Sequence, residues 1–164
     1  MKILRLDSRG LSLIELVVTI SILAILAALI LPSAQMTVKR TKELELRRNL
    51  RTIRTALDDY KKTYDKAVDE KKIMAVLNKS GYPETLQKLV EGDDFGGAIK
   101  FKKKFLRKIP VDPFNPPKPG EEIMWGLRSY ADQPDTTNWG GEDVYDVYSL
   151  STDTAIDGSK YKDW

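Results

Sequence analysis

A long apolar run near the beginning of the chain carries only one charge. From Leu11 to Leu31 the sequence reads LSLIELVVTISILAILAALIL, and Glu15 is its only ionisable residue. As an α-helix this run would be about 31 Å long at about 1.5 Å per residue, which matches the hydrocarbon core of a bilayer. The run therefore predicts a membrane-spanning helix over residues 11–31.

Glu15 is the unusual residue of this run, because a carboxylate inside a membrane helix is costly and usually faces a partner. One explanation is that Glu15 lies near enough to the helix start to reach the lipid headgroups. The alternative involves the charged segment MKILRLDSRG, which ends in Gly10. Cleavage after Gly10 would give Leu11 a free α-amino group four residues from Glu15. The two charges would then neutralise each other, within one chain or between copies.

Composition limits the chemistry available to the chain. It has no cysteine and no histidine, which excludes disulfides, thiol nucleophiles, histidine-based acid–base catalysis and most zinc sites. The chain is therefore expected not to be an enzyme.

Charge is unevenly distributed along the sequence. Residues 1–110 carry twenty-three Lys or Arg against thirteen Asp or Glu, whereas residues 111–164 carry four against eleven. This pattern indicates either a solvated charged helix or contacts between the basic and acidic ends of neighbouring copies. No nucleic-acid recognition motif accompanies the basic residues, so nucleic acid is not an expected partner.

Helical periodicity continues beyond Pro32. Apolar residues recur at intervals of three and four, which predicts a helix reaching about residue 66. A small domain is predicted to cover its stripe, and an independent coiled-coil dimer, which would need a longer register, is the alternative. The stripe consists of Leu46, Leu50, Ile53, Leu57, Tyr60 and Tyr64. A solvated face is predicted for Arg47, Arg48, Asn49, Arg51, Arg54, Asp58, Asp59 and Lys61.

Shorter elements follow. GYPETLQKLVEG predicts a short helix with Pro83 in its first turn and Gly92 at its end. EEIMWGLRSY and DVYDVYSL alternate as strands do and are predicted to pair antiparallel. Together these elements predict an α+β fold, with a long N-terminal helix, membrane-spanning and then amphipathic. The helix packs on a small antiparallel sheet with extended C-terminal loops.

The charged leader, the glycine and LSLIELVVTISILAILAALILP resemble the class III signal and N-terminal helix of type IV pilins and pseudopilins. The resemblance implies that a prepilin peptidase cleaves after Gly10 and methylates the new terminus at Leu11. It also implies that Glu15 pairs with the terminus of an adjacent subunit, and that Pro32 marks a locally loosened helix. The chain departs from the family at Leu11, where phenylalanine is usual, and at Ala24, where many pseudopilins have glycine.

Within that superfamily the chain resembles the major (G-type) pseudopilins of type II secretion, through YPETLQKLV, FLRKIPVDPF, a tryptophan strand, YDVYSLSTD and a C-terminal DW. The resemblance implies a leader at 1–10, a transmembrane and filament-core helix at 11–31, and a periplasmic pilin-like globular domain at 32–164. It implies a structural subunit of a periplasmic pseudopilus that drives protein export, anchored by a single pass in the bacterial inner membrane.

The same resemblance names the expected partners. They are other copies of the chain in a helical homopolymer, minor pseudopilins, prepilin peptidase, and an inner-membrane assembly platform powered by a cytoplasmic ATPase.

Calcium is the cofactor that the resemblance implies, bound in the C-terminal loop SLSTDTAIDGSKYKDW. Its candidate ligands are Ser149, Asp153, Asp157 and Asp163, and calcium prefers six to eight oxygen ligands. Lys160 stands where the family has an acidic residue, and it would repel the ion or replace it by pairing with Asp153 or Asp157. A tight metal-free turn at IDG is the alternative.

Two other functions agree with the sequence. A type IV pilus subunit or minor pilin would share the cleavage after Gly10 but would form surface fibres. A signal-anchored periplasmic binding domain would keep its leader, and Glu15 would only reach the membrane interface.

Overall fold

The computed structural model describes residues 10–74 and 79–164, with the side chains of residues 29–34 outside that description. The chain divides into two compact units, Met1–Arg40 and Thr41–Trp164. In chain order the elements are α1 (Leu13–Asp69), α2 (Leu86–Glu91), β1 (Gly126–Arg128), β2 (Asp146–Tyr148) and a 3₁₀ turn (Tyr161–Asp163). The α+β class is confirmed. Residues 1–9 of the predicted leader lie outside the described residues.

Local signals set the start of α1. The Ser12 hydroxyl accepts a hydrogen bond from the Glu15 N–H (3.3 Å), and the spacing Ser-x-x-Glu is that of a capping box. Glu15 lies in the first turn, where the helix dipole stabilises a negative charge. The helix then runs for 57 residues to Asp69, slightly beyond the predicted end near residue 66.

The helical backbone of α1 continues through position 32, and the side chain of Pro32 lies outside the described residues. The expected membrane span, 11–31, also ends among residues whose side chains are not described. Within the described part of the chain, no helix combines the length and the apolarity needed to cross a membrane.

The second unit packs around the C-terminal half of α1. Five residues of the predicted stripe are buried there and the sixth, Tyr64, is partly buried; the five are Leu46, Leu50, Ile53, Leu57 and Tyr60. Later elements complete this core with Leu89, Trp125, Val144, Val147 and Tyr161. The prediction of an amphipathic helix covered by a small domain is confirmed.

α2 is shorter than the sequence predicts. It begins at Leu86, so Pro83 precedes the helix and does not occupy its first turn. Pro83 is instead fully buried, and its carbonyl accepts a hydrogen bond from the Val144 N–H (2.8 Å). This tertiary contact explains the later start. The predicted end is correct, because Gly92 has a φ of 86° and donates its N–H to the Lys88 carbonyl.

β1 and β2 pair antiparallel, as predicted, with Gly126 opposite Tyr148 and Leu127 opposite Val147. Only three residues of each predicted strand belong to the described ladder. The ring of Tyr148 lies over Gly126 and occupies the space that a β-carbon there would need. The glycine therefore permits close packing of the tyrosine on its neighbouring strand.

Candidate functional site

The first candidate site lies at the beginning of α1. Gly10 and Leu11 precede the helix and are exposed, and no described atom lies within 4 Å of the position that a Gly10 β-carbon would take. The peptide bond between them thus lies outside regular secondary structure. Glu15 follows in the first helical turn and is also exposed.

The helix surface after this bond is apolar and uncovered. The large apolar side chains from Leu13 to Leu26 are 48–81 % exposed in the single chain. Covering apolar surface contributes about 25 cal/mol per Å², and contiguous apolar surface marks contact with protein or membrane. Because the exposed side chains follow one another along the helix, this segment requires an apolar environment on all sides.

The four candidate calcium ligands lie in the C-terminal loop and differ in burial and in their hydrogen-bond partners. Ser149 is buried and its hydroxyl donates to Asp112 Oδ2 (2.6 Å). Asp153 and Asp163 are both exposed. Across residues 10–74 and 79–164, no group of three or more acidic side chains is placed to share a metal ion.

Asp157, the remaining candidate ligand, supports a turn. Its Oδ1 accepts hydrogen bonds from the Ser159 N–H (2.9 Å) and hydroxyl (2.6 Å), which hold the pKa of the carboxyl below its ordinary value. Gly158 follows at a φ of 89°, a conformation that favours glycine. Lys160 is bridged to Thr154 through the backbone. This geometry matches the tight turn that the sequence offered as the alternative.

Glu43 of α1 is a buried charged residue, in contact with the C-terminal loop, that the sequence did not single out. It is buried, and its Oε1 accepts hydrogen bonds from the Ile156 N–H (2.8 Å) and the Tyr161 hydroxyl (2.9 Å). Burial, and then the Glu43 carboxylate, raise the pKa of Tyr161. The sequence did contain a signal for the burial of Glu43, because it lies three residues before Leu46 and therefore on the same face of the helix.

Two arginines of α1 also contact the C-terminal part of the chain. The Arg47 guanidinium lies 3.5 Å from Asp157 Oδ2 and 4.1 Å from the centroid of the Trp164 ring. Arg54 donates to Asp146 Oδ1 (2.6 Å) and to the main-chain oxygen of Trp164 (2.9 Å). The predicted solvated face is therefore wrong at Arg54, which is half-buried because its partners lie on β2 and in the loop.

Comparison with known proteins shows similarity at the N-terminus and along most of the chain. Residues 5–31 match the prokaryotic N-terminal methylation motif. The chain is also similar to the type II secretion system core protein G of Pseudomonas aeruginosa, strain PAO1. The two are 29% identical over 160 residues, which cover 94% of this chain and 91% of the relative. No solved structure matches the chain significantly.

The motif covers the glycine, the first helical turn and the apolar segment, and the relative extends the similarity over the globular unit. The chain is therefore similar to proteins with the prokaryotic N-terminal methylation motif in residues 5–31 and, along most of its length, to a type II secretion core protein G.

Proposed function

We propose that the chain is the structural subunit of a pseudopilus that drives protein export through a type II secretion system. The uncovered apolar surface of α1, directly after Gly10, carries the proposal. Similarity along nearly the whole chain to a type II secretion core protein supports it. Stacking these helices in a filament core would bury the surface in an apolar environment.

Processing precedes assembly in this proposal. Prepilin peptidase cleaves after Gly10 and methylates the amino group of Leu11. Residues 11–31 then hold the subunit in the inner membrane by a single pass, with the globular unit in the periplasm. The role is structural, and the chain itself performs no catalysis.

Glu15 guides assembly by pairing with the amino terminus of a neighbouring subunit. It is exposed in the single chain, so the terminus of another copy can reach it. In an apolar filament core, a carboxylate and an ammonium group each strongly favour being paired. Minor pseudopilins and an assembly platform driven by a cytoplasmic ATPase complete the proposed machinery.

Substitution of Glu15 tests the pairing. Glu15→Gln removes the charge but keeps the size, so we expect normal membrane insertion and loss of filament formation. Glu45→Gln, an exposed position of the second unit, is the matched control and should assemble normally. Membrane fractionation and electron microscopy of filaments measure the two steps. Filaments of normal abundance from Glu15→Gln would contradict the pairing.

Deletion of the gene tests the biological role. We expect loss of export of folded proteins, with surface fibres and motility unchanged. The opposite result, loss of fibres or motility with export intact, would indicate a pilus subunit instead.

A further inference from the structure

We propose that the C-terminal loop, residues 149–164, is fastened to α1 by protein side chains and folds without calcium. The fastening residues are Glu43, Arg47 and Arg54, which we call the helix clamp. Their spacings of four and seven residues place them on one side of α1. The proposal concerns only the second unit and is independent of the proposed function.

Glu43 contacts the loop through a negative carboxylate, whereas a calcium ion would contact it through a positive charge. A cation collects oxygen atoms, whereas this buried carboxylate collects donors, the Ile156 N–H and the Tyr161 hydroxyl. At this point the loop therefore offers hydrogen-bond donors to the helix. Tyr161 is fully buried and stacks on Phe114 with ring centroids 4.0 Å apart. The carboxylate therefore fixes the loop where the loop enters the core.

The two arginines supply the positive charge that an acidic loop requires. Arg47 is within 3.5 Å of Asp157 and lies over the Trp164 ring. Arg54 binds the main-chain oxygen of Trp164 and, on β2, the carboxylate of Asp146. The two guanidinium groups thus place positive charge beside Asp157, Asp146 and the main-chain oxygen of Trp164. A divalent cation would have to displace them.

Internal hydrogen bonds engage the side-chain oxygens of two of the four candidate calcium ligands, Asp157 and Ser149. Asp157 Oδ1 accepts two hydrogen bonds from Ser159, and the Ser159 hydroxyl also accepts one from Trp164 Nε1 (2.7 Å). Ser149 is bonded to Asp112. Lys160 adds a positive charge to the same turn. These contacts connect the turn to itself and to the core without a metal.

A metal titration of the full-length protein in detergent tests the proposal. Thermal unfolding is followed by tryptophan fluorescence in EDTA and in about 1 mM calcium, a concentration that fills weak extracellular sites. We expect the two Tm values to agree within about 1 °C, because binding to the folded state alone would raise Tm. A Tm several degrees higher in calcium than in EDTA would overturn the proposal.

Variants at the clamp provide the second test, measured in EDTA. Glu43→Ala should lower Tm and speed tryptic cleavage after Lys160 and Lys162, and calcium should not restore either property. Glu45→Ala on the exposed face is the matched control. Glu43→Gln keeps an acceptor for the loop donors and should give an intermediate result, even if the alanine variant fails to fold. Wild-type behaviour of both Glu43 variants would overturn the proposal.

Discussion

Tyr161 is the residue at which the C-terminal loop meets the core. Its ring lies between Phe114, stacked on one face, and Trp164, which is edge-on at 5.1 Å between centroids. Its hydroxyl donates to Glu43. Burial and this carboxylate both disfavour the phenolate, and they raise the pKa of the hydroxyl. The protonated phenol is therefore part of the folded loop.

The raised pKa of Tyr161 predicts instability at high pH. A pKa raised on folding contributes stability that is fully present below the unfolded pKa of about 10 and lost as pH rises through the folded value. We expect the free energy of unfolding to fall above about pH 10. Tyr60, whose pKa is raised by burial and by its hydrogen bond to Asp93, contributes to the same fall.

Tyr161→Phe separates the two contributions. At neutral pH it should cost about 1 kcal/mol, the net worth of a typical hydrogen bond. Its alkaline fall should be smaller than that of the wild type, because the contribution of Tyr161 is removed while those of Tyr60 and Tyr82, whose pKa values are also raised by burial, remain. Urea unfolding from about pH 7 to pH 11 measures both effects. An alkaline fall as large as the wild type's would show that Tyr161 does not contribute.

At the level of elements, the hairpin of β1 and β2 depends on Gly126. The ring of Tyr148 fills the space beside it, so Gly126→Ala should destabilise the protein by about 1–3 kcal/mol through overpacking. Tyr148→Leu removes the ring, and in that background the alanine should cost much less. Denaturant unfolding of the four proteins of this cycle measures the coupling. Equal costs in both backgrounds would contradict the packing explanation.

The elements that periodicity describes were predictable from the sequence. Spacing along α1 is a local property, and it correctly gave the buried stripe from Leu46 to Tyr60. The glycine at position 92 likewise predicted the end of α2 correctly. The start of α2 was not predictable, because Pro83 is held outside the helix by Val144, which lies about sixty residues away.

The candidate sites also differ in whether their signal is local in sequence or depends on contacts between distant residues. The sequence offered Gly10 and Glu15 as candidates because their signal is contiguous along the chain. The calcium candidates were grouped by proximity along the chain, whereas folding gives Ser149 and Asp157 different partners. Glu43 was missed because its partners are 113 and 118 positions away, and an acidic residue on a helix normally indicates solvent exposure.

At the level of the whole molecule, charge asymmetry predicts how copies interact. Exposed basic residues cluster at Lys100, Lys102, Lys104, Arg107 and Lys108, while residues 111–164 are acidic overall. Opposite surfaces on neighbouring subunits would attract one another, and salt weakens such contacts. Filament assembly should therefore decrease as salt concentration rises.

Neutralising two lysines tests this attraction. Lys102→Gln with Lys104→Gln should reduce both filament yield and its dependence on salt. The Tm of the subunit should change little, because exposed substitutions usually alter stability by less than about 0.5 kcal/mol. Yield is measured by sedimentation at low and high salt. A yield and salt dependence equal to the wild type's would place the contact elsewhere.

The intact mass of the protein extracted from its native membrane tests the central claim most directly. In the proposed function, assembly follows cleavage after Gly10, and Gly10 and Leu11 are both exposed. We predict the mass of a chain that begins at Leu11 and carries one additional methyl group. A chain that retains residues 1–10 would contradict the account, because Glu15 would then have no new terminus to pair with.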